Sequence, residues 1–196
     1  MTTQEALEIV SYKLGAKNGA NALTDPVLIK EHIEQAIADK ASDSLRAIDA
    51  KTYMQAMKHV KEERLRLAKV AGEDFLSNNL KNEGVIETPS GLQYKMLTST
   101  DAPKPTLSDT VTVHYHGTLI DGTVFESSIE RGSPSTFAVK KVIDGWKEGL
   151  QLMSVGSKFQ LFIPQSLAYS DRGFGTKIPP FATLCFELEL IDITTD

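Results

Sequence analysis

The sequence predicts an α+β protein: an all-helical N-terminal part, a long connecting helix, and a C-terminal antiparallel sheet wrapped around one short helix. Three observations carry that expectation. Apolar residues recur at helical spacing from residue 4 to about 82 with almost no strand signal, and from Gly84 onward the period changes to two. Within the strand region only Gly145-Trp146-Lys147-Glu148-Gly149-Leu150 reads as helix. Helices and strands kept apart along the chain imply α+β rather than an alternating α/β order. The expected layout is a helical dimerisation domain over 1–48, a connecting helix over 49–83 and a sheet domain over 84–196.

The first helix is read from Leu7, Val10 and Leu14, with Asn18-Gly19 as its stop. A second opens at Thr24-Asp25-Pro26, where Asp25 can cap and Pro26 fits the first turn; its apolar face is Ile29, Ile33, Ala36 and Ile37. A third pattern starts near Asp49 and runs past Leu80 without proline, roughly 30 residues or about 45 Å at ~1.5 Å per residue. Tyr53, Met57 and Val60 form one apolar stripe on it, and Ala71, Phe75 and Leu76 another. Between them Lys61-Glu62-Glu63-Arg64-Leu65-Arg66 is mostly charged with both signs mixed, so the middle of this helix is expected to stand in water and to join two bodies. Gly72 costs about 1 kcal/mol relative to Ala and reads either as a flexible point or as incidental. The first two helices are too short to bury their stripes against each other, because small cores are marginal, and self-association would supply the missing surface. A homodimer is therefore expected; a monomer whose helices fold back is the alternative, which sedimentation separates.

In the second half, Leu92, Tyr94 and Met96 alternate with Gln93 and Lys95, and Val111, Val113 and Tyr115 with Thr112, His114 and His116. Both read as half-buried strands. Asp121-Gly122 between Leu119 and Val124 is a hairpin signal of type I′, with positive φ expected at both central residues. Phe159, Leu161 and Ile163 give a further strand, and Leu184, Phe186, Leu188 and Leu190 the last. Thr88-Pro89-Ser90-Gly91 and Ala102-Pro103-Lys104-Pro105 are surface turns by composition.

Composition narrows the function classes. A hydrophobic content of 41% is ordinary for a globular protein and excludes disorder as the overall state. The formal charge of −5 argues against nucleic acid as the main partner, which needs a basic footprint. Cys185 is the sole cysteine, so no intrachain disulfide forms, and one thiol cannot make a zinc site. His114 and His116 supply two ligands on one strand face with no third at helpful spacing, so neither a metal nor a cofactor is expected. No apolar run approaches the ~20 residues of a membrane span. Met1-Thr2-Thr3-Gln4-Glu5-Ala6 lacks a secretory pattern, giving a cytoplasmic expectation, or a periplasmic one had a signal been removed.

Residues 142–186 hold Val142, Ile143, Trp146, Tyr169, Ile178 and Phe186, interrupted by Gly145 and by Ile178-Pro179-Pro180-Phe181. Such a set can line a dry pocket, while no nucleophile, metal cluster or phosphate loop accompanies it, so any chemistry should need no covalent intermediate. Taken singly, each aromatic is as well explained by core packing. The ordered series Val113-His114-Tyr115-His116-Gly117, Asp121 to Ser128, Val142-Ile143-Asp144-Gly145-Trp146, Leu167-Ala168-Tyr169 and Ile178 to Leu184 resembles the FKBP-type peptidyl-prolyl cis-trans isomerases over roughly 100 residues. The helical front, with Ser11-Tyr12-Lys13-Leu14-Gly15 and a long connecting helix, is similar to the dimeric bacterial macrophage-infectivity-potentiator branch.

That resemblance implies an FKBP-like sheet domain that isomerises Xaa-Pro bonds in unfolded or partly folded polypeptides. It implies catalytic positions at Tyr115, Phe125, Glu126, Trp146, Tyr169 and Phe186, and substrate-binding positions at Phe137, Val142, Ile143, Phe174, Lys177 and Ile178. Trp146 would form the floor under the proline ring, and Tyr169 would donate to a substrate carbonyl. Two departures from the family pattern stand out: Glu126 replaces the usual Asp, and Ser170 the usual glycine after the pocket tyrosine. Implied partners are proline-containing polypeptides, a second copy through the N-terminal helices, and macrolide inhibitors of the FKBP class. The alternatives are a holdase-type chaperone with isomerisation secondary, and a catalytically silent binding module.

Overall fold

The computed structural model describes residues 50–195; the two N-terminal helices expected from the sequence lie outside the described residues. The chain divides into two compact units, residues 1–67 and residues 68–196. Of the first unit the description covers residues 50–67, the opening turns of helix α1, which runs Ala50–Asn79. Val60 is buried there, while Lys61, Glu62, Arg64 and Arg66 are exposed, as the mixed charges of that stretch imply. Ion pairs such as Arg66–Glu63 at 2.6 Å line this solvated surface.

The second unit begins with the last turns of α1. Their inward face is Gly72, Phe75, Leu76 and Asn79, spaced at three and four residues. Ala71, expected on that face, is exposed, and Gly72 takes its place. A Cβ at Gly72 would stand 2.5 Å from Thr183 Oγ1, so the glycine marks a close approach between the helix and the chain before the last strand. Neither a flexible point nor an incidental residue describes it. Phe75 packs on Phe162 at 6.1 Å.

Seven strands form one antiparallel sheet: β1 Val85–Glu87, β2 Gln93–Thr98, β3 Thr110–Leu119, β4 Val124–Ser127, β5 Ser135–Ala138, β6 Lys158–Ile163 and β7 Leu184–Thr194. Their order is β1-β2-β6-β7-β3-β4, with β5 pairing the first half of β3 where β4 pairs the second. Strands β3, β6 and β7 alternate buried and half-buried positions along most of their length, as their apolar residues predict. Strand β2 does not: Gln93 is fully buried and Met96 is 48% exposed. The reason is non-local. Gln93 lies against the end of α1, where its amide donates to Leu76 O at 3.0 Å and to Glu87 Oε1 at 3.1 Å, and accepts from Asn79 Nδ2 at 3.0 Å. A buried amide is tolerated because its hydrogen bonds are made.

The Asp121-Gly122 turn also differs from expectation. Only Gly122 has positive φ, at 86°, with Gly122 N–H donating to Leu119 O and Leu119 N–H to Thr123 O. This is a three-residue loop closed by a left-handed glycine, not a type I′ turn. Asp121 Oδ1 accepts from Thr123 N–H at 2.9 Å, which fixes the loop and, with the other Thr123 contacts, lowers the Asp121 pKa.

Helix α2, Asp144–Leu152, crosses the concave face of the sheet and buries Trp146 and Leu150. Gly145 and Gly149, one turn apart, let it lie directly on β6. A Cβ at either would come within 2.4 Å of Ile163 Cγ2 or 2.6 Å of Leu161 Cδ1. The core between them contains Val111, Val113, Leu161, Ile163, Leu188 and Leu190, all fully buried. No helix among the described residues is long and apolar enough to cross a membrane.

Candidate active site

The curvature of the sheet around α2 leaves one end of the core open. A cavity of about 670 Å³ occurs there, and every candidate residue read from the sequence lines it. Strand β3 contributes Tyr115, β4 Phe125 and Glu126, β5 Phe137, and β7 Phe186. Val142 and Ile143 come from the chain entering α2, Trp146 from its first turn, and Tyr169 from the chain after a short 3-10 turn, Gln165–Leu167. Phe174, Lys177 and Ile178 come from a loop that folds back on itself, with Phe174 N–H donating to Ile178 O at 2.8 Å and Ile178 N–H to Phe174 O at 3.1 Å. Sequence reasoning missed Lys141, Gly175 and Thr176, which also line the cavity. Lys141 could have been found from its adjacency to Val142.

The floor and walls are one aromatic cluster. Trp146 meets Tyr115 at 5.3 Å, Phe137 at 5.6 Å and Phe186 at 5.1 Å, all edge to face, and Phe125 meets Phe186 at 5.4 Å in the same geometry. Edge-to-face packing aligns ring edges with ring faces and holds each ring in place. Four of these side chains are only 5–7% exposed, so they serve as core and pocket wall together. The Trp146 indole N–H is buried without a hydrogen-bond partner among the described residues. Ile143 holds the N-cap position of α2 without a side-chain cap, and its own N–H has no backbone partner among the described residues. At the rim Tyr169 stacks on Phe174 at 4.9 Å and 22°, and Phe174 is 61% exposed.

One wall is held by a polar clamp. Arg131 Nη1 donates to Glu126 Oε1, and its Nη2 to Ser135 Oγ at 2.7 Å, with the guanidinium 6.0 Å from the centre of the Tyr115 ring. Tyr115 first and Glu126 second raise the Arg131 pKa, so the clamp stays charged. The longer Glu126 side chain thus reaches a cation bridging β4 and β5. His114 and His116 lie on the outer face of β3, each Nδ1 3.0 Å from a serine, Ser128 and Ser127. Among the described residues no group of three His, Cys, Asp or Glu is placed to hold a metal. Burial pushes the Cys185 thiol up to about 12 and keeps it protonated at neutral pH.

Burial, and then the charge of Tyr115, raise the Tyr169 pKa. A raised phenol pKa means that the proton is kept to higher pH, so Tyr169 remains a hydrogen-bond donor throughout the neutral range. Turnover is expected to be flat from about pH 7 to about pH 9, below the usual phenol value of about 10. A fall within that window that Tyr169→Phe removes would show Tyr169 losing its proton there, against the raised pKa.

A largely aromatic pocket of this size, lined by no cysteine, serine or histidine, suits a reaction that breaks no covalent bond, and the comparisons with known proteins agree. Residues 102–191 match the family model described as FKBP-type peptidyl-prolyl cis-trans isomerase, and residues 7–96 the domain amino terminal to it. The chain is 41% identical over 192 residues to the FKBP-type 22 kDa peptidyl-prolyl cis-trans isomerase of Escherichia coli, covering 93% of each chain. It belongs to the FKBP-type peptidyl-prolyl cis-trans isomerases.

The isomerase is also 38% identical over 201 residues to the Outer membrane protein MIP of Legionella longbeachae, covering 94% of this chain and 84% of that one. Among solved structures it is similar to the crystal structure of FkpA from Escherichia coli, with a TM-score of 0.69 and 32% identity over 98% of this chain and 89% of that one. These relatives match across both the region of the amino-terminal domain and the sheet domain. Its substrates are proline-containing polypeptides.

Proposed function

We propose that the aromatic cavity is the catalytic site and that it accelerates rotation about Xaa-Pro bonds by binding the twisted amide better than the planar one. Rotation is opposed by about 18–20 kcal/mol because twisting removes amide resonance. The planar amide carries charge separation between oxygen and nitrogen, and the twisted one carries less. An apolar cavity therefore disfavours the ground state relative to the transition state, and fit to the twisted form adds selective binding. A 10⁴-fold rate gain needs only about 5–6 kcal/mol of such differential stabilisation.

The observation that carries this reading is the ring cluster around Trp146, which offers a flat apolar floor in a cavity also lined by Ile143, whose N–H has no backbone partner among the described residues. In this reading the proline ring rests on Trp146, between Phe186, Tyr115 and Phe125. Ile143 N–H and the Tyr169 hydroxyl donate to substrate carbonyls and set its orientation. Glu126 acts as a positioning residue through Arg131, holding the wall near Tyr115. Phe137, Val142 and Ile178 complete the apolar lining, and Phe174 and Lys177 meet the flanking chain.

A proline-limited refolding assay tests it. Wild-type protein is expected to accelerate the slow phase, Tyr169→Phe to reduce kcat/KM by about tenfold, near 1.4 kcal/mol, and Glu126→Asp to change it by less than about threefold. Equal activity in wild type and Tyr169→Phe would remove Tyr169 from the site.

The assembly is part of the proposal. The first 48 residues are read as a dimerisation domain, with residues 49–83 as a connecting helix and 84–196 as the isomerase domain. The match of residues 7–96 to the family's amino-terminal domain supports it. Two sites in one dimer would let a client touch both, raising effective concentration. Sedimentation of the full chain at the mass of two copies is the expected result, and a monomer would overturn it. Macrolides of the FKBP class are expected to compete with peptide for the cavity. The cytoplasmic placement is likewise a proposal, which fractionation of the producing cell decides.

A further inference from the structure

The charged groups around the cavity are unevenly matched. Glu126 is the carboxylate in its lining, and Arg131 is bonded to it, so that pair cancels. Lys141 and Lys177 line the same cavity, and both are exposed. Lys177 Nζ donates to Phe125 O at 3.0 Å, a neutral acceptor that positions the ammonium at the mouth without neutralising it. Lys141 makes no ion pair among the described residues. The nearest carboxylates along the chain are engaged elsewhere: Asp144 by Lys147 at 2.8 Å, and Glu148 by the Ser90 hydroxyl at 2.6 Å. Asp171 and Arg172, both exposed at the start of the folded-back loop that carries Phe174, Lys177 and Ile178 (the flap), have opposite signs. The chain as a whole carries −5, so two unmatched lysines at the pocket mouth are a local reversal of sign.

We propose that Lys141 and Lys177 give this isomerase a preference for prolines flanked by an acidic residue. This deepens the reading of the cavity as the catalytic site and rests on it. The proline ring takes the apolar floor, and the neighbouring side chain must pass the mouth where the two ammonium groups stand. An acidic neighbour meets a complementary field there, and a basic one meets like charge, in a concave site that concentrates the field. Because the flanking carboxylate is present equally in planar and twisted states, the gain is one of uniform binding and should be seen in KM rather than kcat. Exposed ion pairs are modest, so the preference should be about two- to fivefold.

The test uses the full chain and unstructured proline peptides that differ only in carrying Glu, Gln or Lys, in one series before the proline and in a second after it. Exchange between cis and trans is followed by NMR. Within each protein the readout is the ratio of kcat/KM for the Glu peptide to that for the Gln peptide, which cancels any general change in activity. Wild type should give a ratio of about two to five in at least one series, set by KM, and falling toward one as salt is raised. The double variant Lys141→Glu, Lys177→Glu should bring it below one and favour the Lys peptide. Both side chains are exposed, so the variants are expected to fold, which circular dichroism checks. A wild-type ratio of one in both series, or a ratio the double variant leaves unmoved, overturns the proposal while leaving the catalytic site in place. No acceleration of the Gln peptide by wild type overturns the reading of the cavity, and this proposal with it.

Discussion

Trp146→Ala is expected to destabilise the sheet domain by about 3–5 kcal/mol and to lower kcat/KM by more than about tenfold. Trp146 is 5% exposed and contacts three rings at 5.1–5.6 Å, so removing it leaves a void that its neighbours cannot fill without breaking their own edge-to-face contacts. The same void removes the proposed proline floor. Stability and activity would therefore fall together, and a second variant is needed to separate them. Trp146→Phe keeps an aromatic floor and discards an indole N–H that has no hydrogen bond to lose. It is expected to be markedly more stable than Trp146→Ala and to retain part of the activity. Urea unfolding and proline-limited refolding measure the two quantities. A folded Trp146→Phe protein with no activity would assign the indole N–H a direct role, and a Trp146→Ala protein with at least half of wild-type activity would refute the floor.

How far the sequence foretold the fold depended on whether one element or several decided a residue's surroundings. Strands β3, β6 and β7 bury one face against α2, so strict alternation was visible in their residues alone. Strand β2 has the end of α1 on its other side, and nothing near Gln93 in the sequence announces Asn79 or the Leu76 carbonyl. Strand β5, Ser135–Ala138, is too short to show a period, and its existence follows from pairing with β3. Gly72 looked like a weakness in a helix because its reason, Thr183, is more than a hundred residues away.

The cavity was legible in a different way. No single aromatic residue distinguishes pocket from core, and the structure shows why: Tyr115, Phe125, Trp146 and Phe186 are both. Only their joint order along the chain carried the resemblance. Charged positions behaved differently again. Glu126 stood out in the sequence as a departure from the family pattern, and its partner proves to be Arg131; Lys141 went unnoticed because an exposed lysine beside an apolar pair looks like ordinary surface until the chain entering α2 turns it toward the cavity.

Gly173→Ala is expected to lower kcat/KM by about tenfold or more while costing the global fold much less than Trp146→Ala does. Gly173 has φ of 63°, and a Cβ there would stand 2.4 Å from Ile178 O and 2.9 Å from Pro179 C. Two penalties therefore coincide. The left-handed conformation costs an alanine about 1–2 kcal/mol, and the clash is with backbone that cannot rotate away. The accessible escape is for the flap to open, which breaks the paired hydrogen bonds between Phe174 and Ile178. Ile178 would then leave the cavity wall, Phe174 its stack on Tyr169, and Lys177 its bond to Phe125 O. Gly175 in the same loop provides the internal comparison. Its φ is 57°, but a Cβ there meets nothing within 4 Å. Gly175→Ala thus carries the dihedral penalty alone, about 1–2 kcal/mol, and should lose less activity than Gly173→Ala. Near-equal losses in the two variants would show that backbone strain alone governs the flap, and full activity in Gly173→Ala would show that the closed flap takes no part in turnover.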